Sequence, residues 1–175
     1  MQDGPGISQY SQHCQVFAIL THTVPVEQGK MNLLRTVREP ANYAQCTVAM
    51  RYYLFRALEM TGLYKWTDKY WETWRTMLRN HATTCIESES YSRSECHAWG
   101  SLILYELPAI VLGVRPAAPG FEAVQIKPVS GYLSEAKGMV ETPRGRVRVS
   151  WHIEEGKMKL SYDVPENMTV IGYKE

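Results

Sequence analysis

Near residue 114 the spacing of apolar residues changes its period. Up to about residue 113 they recur three and four apart, as a helix face requires. Beyond that point short valine-rich stretches alternate apolar with polar positions between turn residues, as strands require. No single regular lattice accommodates both periods, so the chain divides into a helical part, residues 1–113, and a sheet part, residues 114–175.

Within the helical part, SQYSQHCQVFAILTHT clusters Cys14, Phe17, Ala18, Ile19 and Leu20 without strand alternation. PVEQGKMNLLRTVRE opens with Pro25 and Glu27, a first-turn signature. NYAQCTVAMRYYLFRALEMTG repeats apolar residues at Cys46, Ala49, Met50, Tyr53, Leu54, Ala57 and Leu58, and Gly62 stands where the helix should stop. YKWTDKYWETWRTMLRN carries Trp66, Tyr70, Trp74, Met77 and Leu78 at helical spacings that favour a core over a sugar platform. SECHAWGSLILYELPAIVLG closes the series at Gly113, with Pro108 expected to kink or shorten it.

The second part reads as strands EAVQIKP, EAKGMVET, GRVRVSWHI, KMKLSYDV and MTVIGY in antiparallel sheets. In RVRVSWH, Val147, Val149 and Trp151 share one face; Arg146, Arg148, Ser150 and His152 share the other, so one side is core and the other wet. EEG predicts a hairpin turn with Gly156 at positive φ.

Nineteen basic and 18 acidic side chains leave a formal net charge of +1, so no overall field selects nucleic acid or an anionic membrane. Arg144, Arg146 and Arg148 form a small basic strip of the kind common on exposed strand faces, not a nucleic-acid footprint. No apolar run is long enough to span a bilayer. The four cysteines never fall into CxxC pairs, so they read as buried free thiols and no metal site is expected. MQDGPGISQY has none of the features of a signal peptide, and the compartment stays open.

The chemistry concentrates in HATTCIESESYSRSECHAWGS, residues 81–101, where Glu87 and Glu89 precede His97 and Trp99. A carboxylate on a loop beside an imidazole and an indole has the parts of a carbohydrate pocket: glycoside hydrolysis needs an acid and a base, and aromatic faces hold the ring. The same residue types also serve as a solvated loop glutamate, a helix-start histidine and a packing tryptophan, so chemistry alone leaves both readings open.

The order of short motifs is more specific. Trp74, Thr83–Thr84 with Glu87, Arg93–Ser94, Cys96–His97–Ala98–Trp99, Gly113–Val114–Arg115–Pro116, Pro119–Gly120–Phe121 and Ile126–Lys127–Pro128 follow one another as in bacterial α-L-rhamnosidases of glycoside hydrolase family 78. ISQYSQHCQVFAI resembles that family's SQ-x-x-x-A helix, and AKGMVETPRGRVRVSW its C-terminal β-sandwich, so the resemblance covers nearly the whole chain.

That resemblance implies part of an (α/α)6 six-hairpin toroid followed by an antiparallel β-sandwich, without cofactor. It matches Glu87 to the general base of an inverting hydrolysis of terminal α-L-rhamnose, His97 to the rhamnose subsite, and Trp99 to the same motif with packing as its alternative role. Glu89 has no counterpart there and reads as a solvated loop residue. The family's general acid lies in an upstream acidic motif that nothing here resembles. The chain is therefore expected to be a carboxy-terminal part, nearly or wholly inactive alone. Its exposed apolar wall is expected to self-associate or pair with the missing N-terminal half, and the expected ligand is a rhamnose-containing glycoside. A carbohydrate-binding or purely structural helical module is the alternative.

Overall fold

Ser11 starts the first helix: its hydroxyl accepts the Cys14 N–H at 3.2 Å, satisfying one of the donors a helix start leaves open. The computed structural model describes residues 1–89 and 94–172; Arg93 and the last strand's Tyr173 lie outside the described residues. The chain divides into two compact units, Met1–Leu102 and Ile103–Glu175, so the final helical turns before residue 114 belong with the strand-bearing unit.

In the first unit α1 (Gln12–Leu20) packs against α2 (Val26–Arg38) and α3 (Arg51–Met60). Val16, Ile19, Leu33, Leu54, Phe55 and Leu58 form the buried seam. Pro25 precedes α2 and Glu27 lies in its first turn, while Arg35 and Arg38 occupy the last turn, each sign where the helix dipole favours it. Gly62 closes α3 as expected, at φ 69°.

Two predicted helices are shorter than their periodicity. The helix expected from Asn42 begins only at Arg51. Gln12 accounts for this: its backbone N–H bonds to the Ala44 carbonyl at 2.9 Å, and its side-chain oxygen accepts the Cys46 N–H at 3.1 Å. Backbone groups that a longer helix would need are thereby committed to α1. The segment from Tyr64 to Trp71 is a 3-10 helix leading into α4 (Glu72–Arg79). Its buried residues Tyr64, Thr67 and Tyr70 recur every third position, the repeat a three-residue turn aligns. Phe55 meets the rings of Tyr64, Tyr70 and Trp71 at 6.4, 6.2 and 5.3 Å, and Trp74 and Met77 are buried too, whereas Trp66 is only half-buried and Leu78, expected in the core, is exposed.

A short 3-10 turn, Ala98–Ser101, leads into α5 (Leu102–Glu106), at whose first residue the units divide. Around Pro108 the second unit widens into a π-helical turn, Leu107–Val111, in which the Leu112 N–H reaches back to the Leu107 carbonyl at 2.9 Å. Proline has no N–H to give and its ring displaces the preceding carbonyl, so the expected disturbance takes the form of a wider turn.

One sheet is β3 (Glu135–Thr142), β4 (Gly145–Glu154) and β5 (Lys157–Asp163), antiparallel throughout; Trp151 pairs with Ala136 and Leu160. The other runs β1 (Val114–Pro116), β2 (Ala123–Ile126), β6 (Thr169–Ile171). There β1 and β2 are antiparallel but β2 and β6 are parallel, so the assembly is mixed where alternation predicted antiparallel pairing alone. Val147, Val149 and Trp151 are buried with Val124 and Ile126, as the period-two pattern required. Trp151 is 1% exposed and its indole N–H donates to the Val111 carbonyl at 2.8 Å, which satisfies its polar atom. The tight turn Glu155–Gly156 joins β4 to β5, with Glu155 at φ 50° and Gly156 at φ 76°. On the wet face Arg146 pairs with Glu141 at 2.6 Å and Arg148 with Asp163 at 2.7 Å, while Arg144 pairs with Glu122 at 3.0 Å.

Candidate functional site

Two arms of one loop bring the predicted site residues together. The first, Cys85 to Glu89, and the second, Ser94 to Gly100, are joined by their backbones: the Glu87 N–H donates to the Ser94 carbonyl at 3.0 Å and the His97 N–H to the Cys85 carbonyl at 2.8 Å. The Thr84 hydroxyl donates to the Glu95 carbonyl on the same seam. Glu87 and His97, ten positions apart, therefore sit on adjoining backbone, and both are half-buried.

Gly100 allows this closeness. A methyl group there would stand 2.5 Å from the Cys85 Cβ and 3.0 Å from the Ile86 carbonyl oxygen, so a side chain would push the arms apart. The Trp74 indole N–H donates to the Gly100 carbonyl at 2.7 Å and fixes the second arm to α4. Beyond His97 the chain turns into 3-10 helix, which brings the rings of His97 and Trp99 edge-on at 4.6 Å and 62°. Trp99 is 62% exposed, so most of its face is available.

Glu89 is an exposed loop residue, as expected, but it is also paired. Its Oε2 accepts from the Arg51 guanidinium at 2.8 Å and its Oε1 from the Thr73 hydroxyl. Arg51 is 5% exposed, lies over the rings of Tyr70 and Trp74 at 5.5 and 5.7 Å, and also donates to the Tyr70 carbonyl at 3.2 Å. A cation out of water needs a counter-charge, and Glu89 is the carboxylate that reaches it. Arg51 had a signal in the sequence: it shares the helical stripe of Leu54 and Leu58, where a charge must be paired.

Behind the site the core is acid-silent. Burial pushes the Cys46 thiol up to about 12, and it does the same to the Tyr70 phenol. Tyr70 accepts the Gln12 side-chain amide at 2.9 Å, which ties α1 to this wall. Cys96, expected buried, is exposed, because the second arm is surface loop. Among the described residues no three His, Cys, Asp or Glu side chains converge as a metal cluster would.

A groove of about 380 Å³ opens where α4 ends, lined by residues that include Asn80, His81, Thr84, Ile86 and Glu95. Glu87, His97 and Trp99 do not line it.

Residues 113–171 match the model of the bacterial alpha-L-rhamnosidase C-terminal domain. An alpha-L-rhamnosidase of Formosa agariphila is 28% identical over 160 residues, which cover 82% of this chain and 17% of that protein. An alpha-L-rhamnosidase of Alteromonas sp. (strain LOR) is 32% identical over 110 residues, 55% of this chain and 12% of that one. Among solved structures, the GH78 family rhamnosidase of Bacillus sp. GL1 superimposes with a TM-score of 0.77 at 31% identity, covering 94% of this chain and 19% of its own. The chain thus spans less than a fifth of the length of each of these relatives.

Proposed function

Because the chain is related to the C-terminal region of glycoside hydrolase family 78 rhamnosidases, we propose that it supplies the general-base side of an α-L-rhamnosidase site. The observation that carries this is the paired loop: Glu87 and His97 are half-buried on hydrogen-bonded arms, with Trp99 edge-on to the imidazole. Glu87 takes a proton from a water molecule. The resulting hydroxide attacks the anomeric carbon of a terminal, non-reducing α-L-rhamnose, and the glycosidic oxygen leaves from the opposite face with inversion. His97 hydrogen-bonds the sugar, and the exposed indole of Trp99 covers its apolar side. No cofactor enters this acid–base scheme.

The acid that protonates the leaving oxygen comes from outside these 175 residues, at the ~6.5–9.5 Å separation an inverting pair needs. Lacking it, the isolated chain hydrolyses more slowly by roughly 10²–10⁴-fold, before the loss of the remaining pocket is counted. The helices form the closing part of an (α/α)6 toroid and the strands, antiparallel except for the β2–β6 pair, a β-sandwich. In the first unit Phe17, Tyr53 and Met31 are exposed, and the rings of Phe17 and Tyr53 lie 5.3 Å apart. Such a surface favours self-association or docking of the toroid's other half.

Replacing Glu87 with Gln in a rhamnoside-hydrolysing assembly tests the scheme. Hydrolysis collapses while rhamnose affinity survives. Unchanged hydrolysis removes Glu87 from the mechanism. The exposed Trp99 beside His97 also suits a module that holds sugar without chemistry. Rhamnose binding by an assembly that never hydrolyses rhamnosides establishes that reading instead.

A further inference from the structure

Arg51 is a charged residue at a position that the helical stripe marks as core. It is buried on the core stripe of α3, and its Nε finds no hydrogen-bond partner among the described residues. A desolvated cation with an unbonded donor is costly, and an ordinary leucine would avoid that cost. The guanidinium instead reaches Glu89, whose side chain is 52% exposed and which belongs to the loop, not the core.

The loop's first arm is tied at alternate residues. The Cys85 carbonyl holds the His97 N–H, the Glu87 N–H holds the Ser94 carbonyl, and the Glu89 carboxylate holds Arg51 and Thr73. The first two ties join the arms only to each other. The third fastens the first arm to α3 and α4, and Trp74, next to Thr73 on α4, fastens the second arm through Gly100. Without the Glu89 tie, the segment carrying Glu87 keeps its partner arm but loses its ion pair with α3 and its hydrogen bond to Thr73 on α4.

We propose that Arg51 is a positioning residue: acting through Glu89, it sets where the Glu87 segment stands relative to α3 and α4. The proposal rests on the reading of Glu87 as base. A carboxylate that must deprotonate one water against one carbon tolerates little displacement, so a buried cation that pins its loop has a use that stability does not provide.

The test uses the 175-residue chain, with NMR-detected hydrogen exchange at the Glu87 and His97 amides. Glu89→Ala speeds exchange at both amides by about tenfold and leaves amides within α1 at their original rates, the pattern of a local opening. Arg51→Lys, which keeps the charge but loses the fork, speeds them by less, and the Arg51→Lys/Glu89→Ala pair goes no further than Glu89→Ala alone. In a rhamnoside-hydrolysing assembly Glu89→Ala lowers kcat by about tenfold with KM within about twofold. Unchanged exchange at Glu87 and His97, or an equal rise throughout α1, overturns the proposal. If Glu87→Gln leaves hydrolysis intact, the base assignment fails, while the exchange rates still decide whether Arg51 holds the loop.

Discussion

The Trp74 indole N–H donates to the Gly100 carbonyl at 2.7 Å, so a side chain on the last regular helix before the loop holds the residue at which the loop ends. The close approach of the two arms, not this bond, requires a glycine, since a methyl group at residue 100 would lie 2.5 Å from the Cys85 Cβ and 3.0 Å from the Ile86 carbonyl oxygen. Gly100→Ala therefore forces the arms apart and costs about 1–3 kcal/mol, the usual penalty of overpacking. Urea unfolding measures the loss, and a wild-type midpoint would show that the arms are not in contact.

Gly113 is more demanding. It stands at φ 75°, where a side chain is strained, and a Cβ there would lie 2.2 Å from the Lys127 carbonyl carbon and the Pro128 nitrogen. Backbone cannot move aside as a side-chain end can. Gly113→Ala is expected to cost more than about 4 kcal/mol or to prevent the second unit from folding. Loss of the near-ultraviolet signal of buried Trp151 is the readout.

The thiols should differ in reactivity. Cys96 is exposed, whereas Cys46 is buried with its thiol held protonated up to about 12. Titration of the folded chain with an aromatic disulfide at pH 8 labels Cys96 rapidly and Cys46 only on unfolding, because the thiolate is the nucleophile. Equal rates would place Cys46 at the surface.

Alkaline stability follows from the same burial. The Cys46 thiol rises from an ordinary 9.0 to about 12, and the Tyr70 phenol from 10.0 to about 12. Both groups stay protonated in the fold after the unfolded chain has begun to lose its protons. Their contribution is complete below pH 9.0 and declines as pH rises toward 12, by about 1.4 kcal/mol per pH unit for each group once its unfolded form ionises. Denaturant unfolding at pH 8 and pH 10 measures the slope, and Cys46→Ala removes the part that starts at the lower pH. A wild-type slope in that variant would deny the thiol its part.

Local periodicity determined which stretches became helix or strand in broad outline. Alternation in RVRVSWH assigned the faces of β4, EEG marked the turn, and Pro108 marked the break in the last helix; each depends on residues within a turn or two of one another. The order of Glu87, His97 and Trp99 was legible too, as a string of motifs in sequence. Contacts between distant residues decided the rest. Gln12 stops α3 from starting early across 34 positions, Arg51 pairs with Glu89 across 38, and β6 joins β2 in parallel, since nothing in either strand specifies its neighbour. Periodicity records which side of a segment avoids water. Which buried donor meets which acceptor is settled only when the segments pack, because the cost of an unpaired buried group arises only there.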